Sequence, residues 1–225
     1  MIYVTGDTHG IASRFNDPRL KNLKQGDTLI VCGDFGFLWN GSKDEINVLK
    51  KLSKKKYNIC FVDGTHENFD MLNSIKIKKW NGGKVHHIAS NIFHLMRGQV
   101  FEIEGTKIFT MGGGESPDID IRFEMNTWSD LEIPTREELV EGVENLQKYG
   151  GKIDLIITHE PPAKIKDNKK AKPVDLNSSV IPPTITEAKP PPIANTNKPI
   201  NKSQILKTNS RRVSIPEISS IANSC

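Results

Sequence analysis

A chain of 225 residues is long enough for one domain with a full core, but its 36% apolar share lies below the ~45–50% usual for globular chains, so a polar segment dilutes the average. No apolar run approaches the ~18 residues that span a membrane, and the opening MIYVTGDTHG has no basic stretch followed by an apolar core, which argues against an anchor and a secretory signal. The net charge of +4 joins two unlike parts: residues 1–162 carry 20 Lys/Arg against 23 Asp/Glu, and residues 163–225 carry 11 against 4.

Ile2-Tyr3-Val4 reads as a short apolar strand ending in GDTHG. Thr28 to Cys32 is a second, ending in GDFG. Ser42 to Lys56 has helical spacing, with Ser42 as N-cap, Glu45 completing a capping box, and Ile46, Val48, Leu49 and Leu52 as the buried stripe. Asn58 to Val62 is a third continuous apolar strand, ending in DGTHE. Short apolar runs rich in β-branched and aromatic residues fit strands buried on both faces, and the β–α–β order predicts a largely parallel sheet. Lys84–Ala89, Ile92–Met96, Gln99–Ile103 and Lys107–Met111 are close-spaced strands that read as an antiparallel meander. Thr135–Lys148 is a helix with Thr135 as N-cap and Glu137 and Glu138 in its first turn. Asp154–Thr158 is a last buried strand, ending in HEPP.

Composition changes after Pro162. All 17 glycines lie at or before Gly151, the last aromatic is Tyr149, and ten of the 13 prolines lie from Pro161 onward. A domain over residues 1–162 followed by a disordered Pro/Lys/Asn/Ser tail over 163–225 is the expectation. The tail is either a solvated segment or a weak nucleic-acid binder; no aromatics interleave with its lysines as base stacking would need, which argues for the first. Cys32, Cys60 and Cys225 are dispersed, as free thiols in a reducing, cytoplasmic compartment would be.

Strand ends carry the chemistry. Asp7 and His9 follow the first strand, Asp34 the second, His66 the third and His159 the last. Ligands bind in the crevice beyond the carboxyl ends of strands in open α/β sheets, so the placement alone brings these groups together. Carboxylates and imidazoles suit borderline divalent metals.

GDTHG, GDFG, GTHEN and THEPP resemble four of the five blocks of the calcineurin-like metallophosphoesterase family. The resemblance covers residues 1–162. GGGESPDIDIR, with Trp128 after it, looks like family members of bacteria and their phages whose substrates are unassigned. The resemblance implies a four-layer α/β/β/α sandwich and two divalent ions, Mn, Fe or Zn, at its top edge. Asp7 and His9 would then bind the first ion, Asp34 would bridge, His159 would bind the second, and His66 would protonate the leaving oxygen. A hydroxide held between the ions would attack phosphorus in line. Substrates of this class are small phosphate esters, phosphoproteins or nucleotides, with no membrane partner.

Two departures stand out. Thr65 occupies the position of an Asn whose amide oxygen ligates the second ion, and offers only a weaker hydroxyl. No His follows His159 and no Gly follows Gly151, so the final Gly-His-x-His block is absent and the second site is short of ligands. The sandwich is therefore expected to be C-terminally incomplete, through truncation, fusion or a frame change. The readings left open are a working phosphoesterase, a non-catalytic remnant that binds a ligand or partner, and an unstable product of a damaged gene. Elsewhere, His86, His87 and His94 are expected to be structural. Glu115 either borders the site or belongs to a tight turn. Arg122 either clamps phosphate or forms a surface salt bridge.

Overall fold

The structure, a computed structural model, describes residues 1–161 and the backbone of Val180–Ile181. The expected tail over 163–225 therefore falls outside the described residues, apart from that pair.

Two sheets stack. The first has seven strands in the order β10-β1-β2-β3-β6-β5-β4. Here β1 is Ile2–Thr5, β2 Thr28–Cys32, β3 Asn58–Val62, β4 Ile77–Trp80, β5 Gly83–Ala89, β6 Ile92–Leu95 and β10 Val180–Ile181. Strands β10, β1, β2, β3 and β6 run parallel, β5 pairs antiparallel with β6, and β4 pairs antiparallel with β5 at the far edge. The second sheet joins β7 (Gln99–Ile103), β8 (Thr106–Met111) and β9 (Leu155–Thr158), with β9 parallel to β8.

The pleat sorts the apolar side chains. Leu29 and Val31 of β2, with Ile59 and Phe61 of β3, join Leu49 and Leu52 of α1 (Lys43–Leu52) and Met71 and Leu72 of α2 (Phe69–Asn73) in one core. The alternate residues, Ile30, Cys60 and Val62, face the other way and meet Phe101, Ile103, Ile108 and Ile157 of the second sheet. Two cores on opposite faces explain why these strands read as continuous apolar runs rather than alternating ones. Fully burying each Leu, Ile or Phe contributes roughly 1.5–3 kcal/mol. On the outer side, α4 (Arg136–Lys148) lays Gly142 against Gly98, Phe109 and Met111, while the Asn145 amide donates to the Gly98 carbonyl at 2.7 Å. The result is helix, sheet, sheet, helix, as expected.

Three local expectations are corrected. The four meander strands do not form one meander: β6 inserts beside β3, so β5–β6 belong to the first sheet and β7–β8 to the second. Ile92, Phe93, His94 and Leu95 are all buried, which only an interior strand allows. Strand β4 was unread because its lysines and exposed Ile77 mark an edge strand rather than a buried run. At α1 only half a capping box forms. Ser42 caps the Glu45 amide, but the Glu45 carboxylate accepts from Trp39, Asn40 and Gly41 and so ties the preceding loop to the helix. The full box forms at α4, between Thr135 and Glu138. No helix among the described residues is long and apolar enough to cross a membrane.

Candidate metal centre

The carboxyl ends of β1, β2, β3 and β9 meet at one edge of the stacked sheets. Two of the loops they feed are bonded together through their backbones. The amides of Thr8 and His9 donate to the Asp34 carbonyl at 3.1 and 2.8 Å, and the Gly10 amide donates to the Phe35 carbonyl at 3.1 Å. Gly10 and Gly36 both have positive φ, and a Cβ on Gly36 would overlap the backbone of His9 and Gly10. His9 and Asp34 also hold positive φ, at 43° and 45°, which is strained for side chains other than Gly and turns both groups into the cleft.

Asp7, His9 and Asp34 each offer one ligand atom within 4.8 Å of the others. His9 Nε2 lies 3.7 Å from Asp7 Oδ2 and 3.6 Å from Asp34 Oδ2. The neighbouring Asp7 carboxylate raises the His9 pKa, against the opposing effect of burial. Burial opposes ionisation of Asp34, yet the hydrogen bonds of His66 carry its pKa below the usual carboxylate range. Two carboxylate side chains with an imidazole at this spacing fit one divalent cation.

His159 reaches the same cleft from β9. Its Nδ1 is 2.9 Å from the Cys32 carbonyl, which fixes the tautomer with the proton on Nδ1 and leaves Nε2 a lone pair, 3.9 Å from Asp34 Oδ1. Gly33, at φ 110°, lies flat under that ring, where any Cβ would overlap it. The fit for a second ion is thinner. The Thr65 hydroxyl is buried and 2.9 Å from His66 Nδ1, so it serves the ring of its neighbour.

His66 is held between carboxylates. Its amide donates to Asp34 Oδ1 at 2.8 Å, its Nδ1 is 3.1 Å from Asp34 Oδ2, and its Nε2 is 3.3 Å from Asp118 Oδ2. The bond to Asp34, more than any other influence, raises its pKa, against the opposing effect of burial. Glu67, fully buried beside it, accepts from the Phe35 amide at 2.8 Å, and burial pushes its carboxyl up to about 8.

Arg122 is neither a surface ion pair nor an open fork. It is buried, with Nη1 donating to Ser116 Oγ and Glu132 Oε2 at 2.8 Å each, and Nη2 to the carbonyls of Thr65 at 2.9 Å and Thr127 at 3.0 Å. Glu115 is exposed, and the glycines before it have a packing reason: Gly112 and Gly113 press on Asp63, Glu132 and Arg97 too closely for any Cβ. Of the remaining histidines, His86 and His94 are buried and stack at 5.2 Å, and His87 is half-buried against Phe93. His94 Nε2 bonds Asp63 at 3.0 Å, and Asp63 also accepts from Arg97 Nε at 2.7 Å. Those bonds overcome burial and hold the Asp63 carboxyl down to about 2. Asp118, Glu132 and Asp63 went unread in the sequence. A lone Asp or Glu in a loop looks the same whether it faces water or a buried partner.

A family model described as calcineurin-like phosphoesterase matches residues 1–183. The match takes in all four strand ends that form the cleft, and the β10 pair. No curated protein and no solved structure gives a significant match.

Proposed function

The chain belongs to the calcineurin-like phosphoesterase family, and on that premise we propose that it hydrolyses phosphate mono- or diesters in a metal-dependent reaction. The observation that carries this reading is the convergence of Asp7, His9 and Asp34 within 4.8 Å. These three residues would hold the first ion, and Asp34 with His159 Nε2, helped weakly by Thr65, the second. When bound, divalent ions such as Mn, Fe or Zn supply positive charge that neutralises phosphoryl oxygens and eases the deprotonation of water.

The protein's own groups do the rest. Asp34, ionised and buried, gathers His66 and the cation ligands around one point. Two carboxylates face the His66 ring and raise its pKa, and this ring is the group placed to give a proton to the departing ester oxygen. The Cys32 carbonyl keeps His159 in the tautomer that can ligate. Small phosphate esters, phosphoproteins and nucleotides all present the group this cleft suits. Cys32 and Cys60 are free thiols, which supports a reducing, cytoplasmic setting for the reaction. The domain boundary near 162 belongs to the same proposal.

A second reading is a catalytically impaired member that retains the fold and binds a ligand. The Thr65 hydroxyl bonded to His66, in the place of an amide ligand, favours it. Hydrolysis of p-nitrophenyl phosphate and its bis ester by the full chain with added Mn²⁺ tests both. Activity abolished by chelator supports the enzyme. No turnover, with one ion or none bound by elemental analysis, supports the impaired form.

A further inference from the structure

The second sheet ends differently at its two edges. Along β7 the hairpin of β4 and β5 ties down the outer side: the Glu102 amide donates to the Asn81 carbonyl at 2.8 Å, and the Lys84 amide to Gln99 Oε1 at 3.2 Å. The other edge is β9, and among the described residues no strand lies beyond it. Proteins usually blunt such an edge with charge or proline. The first sheet's β4 does so with Lys78 and Lys79, whereas β9 reads Leu-Ile-Ile-Thr and carries no charge.

Exposed apolar side chains gather beside this bare edge. Elsewhere Ile121, Phe123 and Met125 are exposed too, but on a single short helix, α3 (Ile119–Glu124), and its C-cap. The group at β9 spans two elements. Ile156 is in register with Phe109, whose ring lies under Gly142 of α4, so Ile156 points to the helix side of the sheet, where it is 63% exposed. On α4, Glu141 and Asn145 reach Lys84 and the Gly98 carbonyl on the β7 side. Val143 lies about 200° round the helix from Glu141, and Leu139 is one turn before it on the same flank. These two therefore overhang β9, at 55% and 49% exposure.

Charge and reach select what covers them. Helix α4 carries Glu137, Glu138, Glu141 and Glu144 against Arg136 and Lys148, so a second copy of this face would set like charges together, and a basic strand suits it better. Residues 163–225 are the basic part of the chain. The chain leaves β9 at His159, whose ring sits by the ends of β1 and β2, and Val180–Ile181 pairs with the side of β1 away from β2. Residue 182 thus starts on the flank where the second sheet is open. Prolines interrupt 182–199, and proline cannot donate to a ladder. Residues 200–215, outside the described residues, contain none, and Arg211-Arg212-Val213-Ser214-Ile215 alternates, with Arg211, Val213 and Ile215 on one face and Pro216 as a stop. As a flexible coil the tether 182–210 spans roughly 30 Å, enough to cross the flank.

We propose that Arg211–Ile215 adds a fourth strand to the second sheet along β9, with Val213 and Ile215 over Ile156, Leu139 and Val143 and Arg211 toward the glutamates of α4. The added strand braces the one that ends in His159, whatever reaction the cleft performs.

Hydrogen exchange of the full chain, read over residues 155–158, tests this. The β9 amides that face away from β8 exchange slowly in the parent. A double variant, Val213→Asp with Ile215→Asp, lies outside the folded core and speeds them about tenfold or more, while β2 and β3 keep their rates. Leu139→Asp with Val143→Asp, on the receiving surface, gives the same local loss. Fast exchange of those amides in the parent, or unchanged exchange in the Val213/Ile215 variant, overturns the proposal. Protection that appears only as concentration rises, with a dimeric mass in ultracentrifugation, overturns it in favour of a second copy.

Discussion

The Asp34 carboxylate holds His66 twice, accepting from its amide at 2.8 Å through Oδ1 and facing its Nδ1 at 3.1 Å through Oδ2. The same carboxylate stands 3.6 Å from His9 and 3.9 Å from His159. One side chain, at the end of the second strand, is common to the surroundings of His9, His66 and His159.

Replacing it therefore should fail in more than one way. In Asp34→Asn the amide can still accept from the His66 backbone, but the negative charge shared by three imidazoles is gone. We expect metal affinity to fall by more than the ~10–100-fold typical of losing an outer-shell partner. Titration of Mn²⁺ into the purified variant checks it, and unchanged affinity would count against the shared carboxylate.

Gly33→Ala probes the seat of His159. The added methyl overlaps the imidazole, and φ of 110° is itself unfavourable to Ala. The expected outcome is a destabilisation on the order of 1–3 kcal/mol with loss of the second ion before the first. Thermal melts with metal stoichiometry by elemental analysis measure both; an unaltered melt and stoichiometry would contradict the geometry.

Acid should destabilise the fold through His86. Burial lowers its pKa to about 4, against ~6.5 in an unfolded chain. Between those values the unfolded chain binds a proton that the native state refuses, so stability declines as pH falls from ~6.5 toward 4, by at most roughly 3 kcal/mol. Asp63, held to about 2, adds a further loss as pH falls below ~3.8. His9 and His66 act in the opposite sense, because their pKa values are raised and their stabilisation fades as pH climbs. The readout is thus a difference: urea midpoints of His86→Phe should drop less between pH 7 and 4.5 than those of the parent, and parallel curves would refute it.

The Glu132–Arg122 pair should be far more costly to break than a surface pair. Arg122→Met leaves a fully buried carboxylate without its cation, a change worth roughly 3–5 kcal/mol, or a drop of about 10 °C in a domain of this size. Calorimetry decides it; a shift within a degree or two would mean the pair is replaceable by water.

Much of the active edge was legible because its signals are local. A continuous apolar strand followed by Gly-Asp leaves the chain few choices, and the positions of Asp7, Asp34, His66 and His159 follow from strand direction alone. What was illegible depends on distant partners. Nothing in Ile92–Leu95 says that it pairs with Asn58–Val62 rather than Gln99–Ile103, because both neighbours would bury it equally well. In sequence Arg122 resembles a surface cation, because nothing local marks Glu132, ten residues on, as its buried partner. Asp118 looks like an ordinary helix cap, and only the position of His66, 52 residues earlier, shows otherwise.

The contact between Gly10 and Gly36 restricts how the site can change. Each backbone occupies the space a methyl on the other would need: a Cβ on Gly10 would come within 2.7 Å of the Gly36 carbonyl oxygen, and one on Gly36 would overlap the Gly10 amide. Neither position can accept a side chain alone, and substituting both only doubles the crowding. Random mutagenesis followed by selection for folding should recover glycine at both codons, so that variation would be channelled outward, to the rims of the cleft.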